Sequence, residues 1–232
     1  MAKKFLIIGV GEFGMTIAKK LFDLKNDVML VDADKEKVNL MKDDFDNVIQ
    51  ADCMQPQVLK ELNVKDYDAC VVTVGRNFQD SLEITYRLKE FGAKYVLSKS
   101  YSDIQSKFLK KAGADEIVYP EKDSAEKIAV TLNSENLIDF IEIGDKFGMF
   151  ELEVRPEWIG KDLVQIDARK KYGINVICVR HNGNILIPSG DYKFSSGDVT
   201  FLFGEKDLVN KLIKVKKSKT GSKVTVISSK KK

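Results

Sequence analysis

Residues 5–8, Phe-Leu-Ile-Ile, form an unbroken apolar run, the pattern of a strand covered on both faces. Helical spacing follows over 15–24, then a second apolar strand over 28–31. The alternation continues. The spacing predicts a helix over 34–43, where Val38 and Met41 lie three apart, a short strand over 47–51, and a helix over 55–62 with Pro56 suited to its first turn. Strands at 69–74, 95–98 and 116–119 are separated by helical segments at 79–91 and 102–112, which stop at Gly92 and Gly113. Six strands with helical crossovers predict an α/β domain built on a doubly wound parallel sheet.

Beyond the sixth strand the pattern loosens. Residues 123–143 read as a helix-turn-helix broken near 133–136. Its apolar residues, Ile128, Ala129, Leu132, Leu137, Ile138 and Phe140, exceed what one small face needs to bury, so the segment reads as a bridge to another domain or subunit. From 148 the expected elements are a strand at 149–154, a short helix at 159–163, a strand at 174–180, a hairpin turn at 181–184 leading into 185–188, a strand at 199–203 and a closing helix at 207–213. These make a small α+β module. The chain thus divides into 1–122 (sheet domain), 123–146 (bridging helices), 147–214 (C-terminal domain) and 215–232 (a basic tail, expected to be disordered).

Three glycines turn this topology into chemistry. Gly9, Gly11 and Gly14 spell G-x-G-x-x-G between the first strand and the first helix, and the second strand ends at Asp32, 18 residues past Gly14. Gly9 permits the tight turn, Gly11 lets the backbone approach a phosphate, and Gly14 lets the helix pack on the strand. The helix start offers unpaired N–H groups and a partial positive charge to that phosphate. Asp32 can accept from both ribose hydroxyls and would repel a 2′-phosphate, which disfavours NADP. This is the fingerprint of a Rossmann-type nucleotide-binding fold. Ligands in such sheets lie beyond the carboxyl ends of the strands, which puts Asp32, Asp52, Gly75, Asn77, Lys99 and Glu121 on one rim.

Composition narrows the class. The 232 residues allow one large or two modest domains, and 44% hydrophobic with 31% charged residues is ordinary for a soluble protein. No apolar stretch approaches the ~18 residues of a membrane span, and no signal peptide precedes the first strand, so a cytosolic protein is expected. Cys53, Cys70 and Cys178 are odd in number and widely spaced, which favours buried reduced thiols over disulfides or a metal site. The net charge of +3 is deceptive: eight lysines and no acid occupy 214–232, so the remainder, a +3 chain less eight positive charges, is mildly acidic. Such a tail is either solvated disorder or attracted to an anionic membrane leaflet at roughly 1 kcal/mol per lysine. Nucleic acid is not expected, because the lysines lack interleaved aromatics and the body is acidic. The single histidine, His181, falls in a turn and is not expected to be catalytic.

The order of features resembles the cytosolic regulatory subunits of Trk/Ktr-type potassium transport systems, in which an RCK (TrkA-N) domain precedes a TrkA-C domain. The match is carried by Gly9-x-Gly11-x-Phe13-Gly14, Val31-Asp32-Ala33-Asp34, Ala51-Asp52, Val74-Gly75-Arg76-Asn77, Gly113-Ala114-Asp115, Tyr119-Pro120-Glu121 and Ile166-Asp167-Ala168-Arg169-x-Lys171-Tyr172-Gly173-Ile174-Asn175-Val176. It runs from about residue 3 to 213, and the single glycine fingerprint resembles the one-unit Ktr form. The resemblance implies a nucleotide-sensing gating subunit that binds ATP, ADP, NAD or NADH in the Rossmann cleft. It implies bridging helices that form a homodimer, dimers that assemble into an octameric ring, and a membrane potassium-channel subunit as partner, so that the protein is cytoplasmic and peripheral to the membrane. The candidate nucleotide contacts are Gly9, Gly11, Glu12, Phe13, Gly14, Asp32, Asp34, Asp52, Cys53, Gly75, Asn77 and Lys99. Glu121 is the expected oxygen ligand for Mg²⁺ or another divalent cation. Members of the family also bind cyclic di-AMP across the TrkA-C dimer, for which the matching positions are Arg169 (phosphate), Asn175 (base edge) and Ile174, Val176 and Pro188 (apolar surface). Position 12 departs from the family, which commonly carries an Arg there to meet the terminal phosphate of ATP. The alternative, a small NAD-dependent oxidoreductase, needs a proton donor or acceptor facing the nicotinamide, and the residues supply no partner for Lys99 in that role.

Overall fold

The computed structural model describes residues 2–74 and 77–214. Two compact units emerge, Met1–Asp123 and Ser124–Lys232. The basic tail over 215–232 and Gly75 lie outside the described residues.

In the first unit the elements run β1 (Lys4–Ile8), α1 (Glu12–Asp23), β2 (Asp27–Asp32), α2 (Lys35–Met41), β3 (Val48–Gln50), α3 (Pro56–Glu61), β4 (Ala69–Val72), α4 (Phe78–Glu90), β5 (Val96–Lys99), α5 (Asp103–Lys111) and β6 (Glu116–Val118), with a 3-10 turn at Val64–Asp66. The six strands form one parallel sheet in the order β3-β2-β1-β4-β5-β6. The sequence doubles back between β1 and β4, the switch point where open α/β sheets bind ligands. The apolar run of β1 is explained by two cores. Leu6 and Ile8 pack with Leu59, Val72, Ile84 and Leu88 on the α3 and α4 face. Ile7 packs with Ala18, Leu30, Val38 and Met41 on the α1 and α2 face. Each such buried aliphatic side chain contributes about 1.5–3 kcal/mol. An alternating strand could serve only one of these cores.

A further helix, α6 (Pro120–Leu132), follows β6 directly, with Pro120 at its first position. The second unit then contains β7 (Leu137–Ile143), β8 (Phe147–Glu153), α7 (Leu163–Ile166), α8 (Ala168–Tyr172), β9 (Ile174–His181), β10 (Asn184–Leu186), β11 (Val199–Glu205) and α9 (Lys206–Asn210). Its sheet is antiparallel, in the order β10-β9-β11-β8-β7. The core gathers Phe150, Leu152, Trp158, Ile174, Val179, Phe194, Leu202 and Val209. The β9–β10 hairpin closes through Asn182 and Gly183, both at positive φ (47° and 82°), as a two-residue turn requires.

Two expectations from the pattern are corrected. The bridge is not a helix-turn-helix: one helix ends at Leu132, and Leu137–Ile143 is a strand paired with β8. The pairing slips between Leu137 and Asp139, so Leu137 lies opposite Leu152 and Phe140 opposite Phe150. This bulge puts residues three apart on the core face of a strand, a spacing that imitates a helix. The helix expected at 159–163 is also displaced. Gly160 at φ +80° separates a 3-10 turn at Pro156–Trp158 from α7. That short helix starts at Asp162 through a capping box: Gln165 N donates to Asp162 Oδ1 (2.8 Å) and Asp162 N to Gln165 Oε1 (3.1 Å).

Candidate functional site

At the carboxyl ends of β1, β2 and β4 the sheet opens into a cleft of about 280 Å³, lined by Gly9, Gly11, Asp32, Asp52, Thr73, Asp80 and Tyr101 among others. Gly9 and Gly11 line it, Gly14 packs behind them, and each is a glycine for its own reason. Gly9 takes φ +87°, and a Cβ there would lie 2.7 Å from the Val74 amide nitrogen. A Cβ on Gly14 would collide with the Gly9 carbonyl oxygen and come within 2.6 Å of Thr73 Oγ1. Both are required by the chain's own packing. Gly11 is not: its φ of −78° suits any residue, and nothing lies within 4 Å of a Cβ built there. The open space beside it is where a phosphate would rest against the backbone.

The start of α1 supports this. Gly11 is its N-cap and supplies no side-chain hydrogen bond, whereas α2, α4 and α5 are capped by Asp34, Asn77 and Ser102. Unpaired N–H groups and the helix dipole at α1 therefore favour an anion.

Asp32 sits on the cleft wall with both oxygens already engaged by backbone. Val10 N donates to Oδ2 (2.7 Å) and Asp34 N to Oδ1 (2.9 Å), and Lys37 Nζ lies 3.7 Å from Oδ2. Each carboxylate oxygen has a second lone pair, so the acid can clamp the glycine turn and still accept from a ribose. Asp52 accepts from Met54 N (2.9 Å), which shapes the loop that carries Cys53 into the cleft wall. Burial, reinforced by the charges of Asp52 and Asp32, pushes the Cys53 thiol up to about 12, so it is a neutral wall group.

Several expected residues have other work. Asp34 is the cap of α2, accepting from Glu36 N (2.9 Å) and Lys37 N (3.4 Å), and it does not line the cleft. Asn77 caps α4 by accepting from Gln79 N (3.1 Å) and donates to Asp80 Oδ1 (2.8 Å). Asp80, which the sequence reading missed, is the residue that faces the cleft. Glu12 is exposed in the first turn of α1. Glu121, expected to ligate a cation, instead accepts from Lys99 Nζ (2.5 Å), and this bond holds its carboxyl below the usual range. Among the described residues no group of three or more His, Cys, Asp or Glu is arranged to hold a metal ion. The Lys99 ammonium lies 5.3 Å from the Phe13 ring centre and 4.6 Å from that of Tyr101. Tyr101 and Thr73 were also missed, as was Arg87, whose Nη1 donates to the Met54 carbonyl (3.1 Å) behind the Asp52 loop.

In the second unit Arg169 and Asn175 are brought together, Arg169 Nε donating to Asn175 Oδ1 at 2.5 Å. Ile174 is fully buried in the core and offers no apolar surface, a correction that follows from its place opposite Gly204 in the sheet. Val176 packs partly against the same core, and Pro188 is half-buried. His181 leaves the turn to Asn182 and Gly183, and its Nδ1 pairs with Asp198 Oδ1 at 2.6 Å.

Comparison with known proteins agrees with both units. The TrkA-N domain matches residues 5–120 and the TrkA-C domain residues 149–217. The Ktr system potassium uptake protein C of Bacillus subtilis is 34% identical over 187 residues, 81% of this chain and 85% of that protein. The Ktr system potassium uptake protein A of the same organism is 31% identical over 205 residues, 88% and 92% of the two chains. In fold, the chain is similar to the RCK domain of GsuK (TM-score 0.66, 17% identity, 91% of this chain) and to the GsuK channel bound to NAD (TM-score 0.65, 17% identity, 90%). It spans less than half of those solved chains, 47% and 38%.

Proposed function

The chain belongs to the TrkA-N/TrkA-C family of Ktr potassium uptake proteins, and on that premise we propose that it is the nucleotide-sensing regulatory subunit of a potassium uptake system. The observation that carries the reading is Gly11, a glycine with no steric reason within its own chain, beside an uncapped helix start. In this reading Gly11 and the first turn of α1 hold the phosphates of ATP, ADP, NAD or NADH. Asp32 accepts from the ribose, and Asp52 and Cys53 wall the cleft. The similarity in fold to an NAD-bound channel chain supports a nucleotide there.

The subunit regulates by binding and not by turnover. A ligand that binds two conformations with different affinity shifts their populations, and no chemistry is needed. Its partner is a membrane potassium-channel subunit, which holds it at the cytoplasmic face of the membrane. Among the described residues no helix is long and apolar enough to cross a bilayer. No residue of α6 is buried, and Ile128, Val130 and Leu132 on it are exposed, as suits a bridging helix covered by a second copy in a homodimer, with dimers assembling into an octameric ring. Cyclic di-AMP in the second unit is supported by the Arg169–Asn175 pair alone.

The test is thermal unfolding with ATP, ADP, NAD and NADH in turn. A ligand at 100 times its Kd adds about 2.7 kcal/mol, several degrees for a chain of this size. No shift with any of the four would refute the reading.

A further inference from the structure

Lys99, the last residue of β5, is the one buried charged side chain among the described residues of the first unit, at 8% exposure. Three groups surround its ammonium. Phe13, in the first turn of α1, and Tyr101, in the cleft wall, present ring faces to it, and Glu121, in the first turn of α6, is its ion-pair partner. Two of the three are uncharged. The third is solvent-accessible: the Glu121 side chain is 55% exposed, so water can replace the lysine as its partner.

A buried ammonium needs a counter-charge, and an exposed carboxylate is a weakly held one. Phe13 ties this ammonium to the uncapped start of α1, where the cleft favours an anion. A phosphate carries more charge than a carboxylate and offers more acceptor oxygens. The flexible four-carbon stem of lysine lets its ammonium change partners. The aromatic faces would hold the cation in either position.

We propose that Lys99 is an exchange switch: a phosphoryl group at the start of α1 takes its ammonium from Glu121 and frees the first turn of α6. This rests on the nucleotide reading of the cleft and adds to it a residue that senses phosphate and reports it to a particular helix. Lys99 is then a specificity determinant for phosphorylated over unphosphorylated adenine ligands, and Glu121 is its competitor.

The experiment is calorimetric titration of the full chain with adenosine and with ADP, in chelator and then with ADP in magnesium, for the wild type, Lys99→Met, Glu121→Gln and the double variant. Methionine keeps the stem volume, and the melting temperature of each ligand-free variant checks that it is folded. Lys99→Met should lose at least tenfold in ADP affinity with adenosine within twofold. Glu121→Gln should tighten ADP about threefold to tenfold, because the competing carboxylate is gone, and that gain should vanish in the double variant. Hydrogen exchange should report faster exchange in the first turn of α6 on ADP binding to the wild type. The proposal alone falls if ADP binds wild type and Lys99→Met equally, or if the Glu121→Gln gain survives without Lys99. Glu121→Gln weakening ADP only in magnesium would overturn exchange in favour of cation ligation. A wild type that binds neither ligand overturns this proposal and the reading of the cleft together.

Discussion

The Asp32 carboxylate at the end of β2 accepts the Val10 amide, inside the glycine turn, at 2.7 Å. The acid expected to hold a ribose is therefore also what holds the turn. Val10 is buried, so removing its acceptor leaves an amide unsatisfied, at a cost of about 1–3 kcal/mol. Asp32→Ala should lower the melting temperature of the ligand-free protein by several degrees and weaken ATP and NAD alike. Unchanged unliganded stability, with nucleotide affinity lost, would assign Asp32 to the ligand alone. Affinities of both nucleotides within twofold of wild type would remove it from the site.

The glycines should separate in the same way. Gly14→Ala drives a methyl into the Gly9 carbonyl, and Gly9→Ala adds a Cβ at positive φ against Val74, so each should destabilise the unliganded protein by about 1–3 kcal/mol. At Gly11 an added Cβ meets nothing in the chain, so Gly11→Val should melt within a few degrees of wild type while losing ADP and NAD binding. A stable Gly11→Val that binds ADP normally would mean that the space beside Gly11 is not where phosphate sits.

Much of this is legible in the sequence, and the exceptions have physical causes. The parallel sheet was readable because both signals that define it, apolar runs and glycine breaks, are local. Strand β7 was not, because the bulge at Ile138 gives Leu137 and Phe140 a helical spacing on a strand. Asp34 and Asn77, expected as ligand contacts, also cap helices. The two roles use the same chemistry, an acceptor aimed at N–H groups just after a strand, and sequence cannot separate them. The Lys99–Glu121 pair joins residues 22 apart, and it depends on the β5–β6 register that sets Lys99 beside Val118. Each end was readable as a charged rim residue, but their pairing was not.

In the second unit, buried Asp198 accepts from Ser195 N (2.9 Å), His181 Nδ1 (2.6 Å) and Tyr192 OH (2.9 Å). These bonds hold its carboxyl below the usual 3.8 despite burial. A depressed carboxyl contributes stability above its unfolded value, lost as pH falls through the folded one, so acid should loosen this unit below about pH 4. Burial and the Asp198 bond push the Tyr192 phenol up to about 12 from 10. A raised group contributes stability that is complete below the unfolded value and is lost as pH rises between 10 and 12. Trp158, the single tryptophan, is buried in this core and reports on it directly. Urea unfolding followed by its fluorescence should show both losses, with Asp198→Asn flattening the acid limb and Tyr192→Phe the alkaline one. Limbs that persist unchanged in both variants would place the titration elsewhere.

Glu12 bears on which nucleotide the cleft prefers. It is exposed in the first turn of α1, where a carboxylate gains about 0.3–1 kcal/mol from the helix dipole. That gain is available whether the side chain points to solvent or toward the phosphates, but the consequences differ. Each added phosphate brings more negative charge to the same helix start, so a carboxylate beside it should penalise ATP more than ADP. A divalent cation between them would remove the penalty, since Mg²⁺ and Ca²⁺ prefer oxygen ligands. In chelator the wild type should therefore bind ADP or NAD more tightly than ATP, and magnesium should narrow the gap. Glu12→Arg replaces the repulsion with a donor suited to phosphate, and should raise ATP affinity severalfold in chelator while moving ADP little. The measurement is titration of both proteins with ATP and ADP, first in chelator and then in magnesium. If the wild type in chelator holds ATP more tightly than ADP, the Glu12 carboxylate does not face the phosphates, and its place in the turn is explained by the dipole alone.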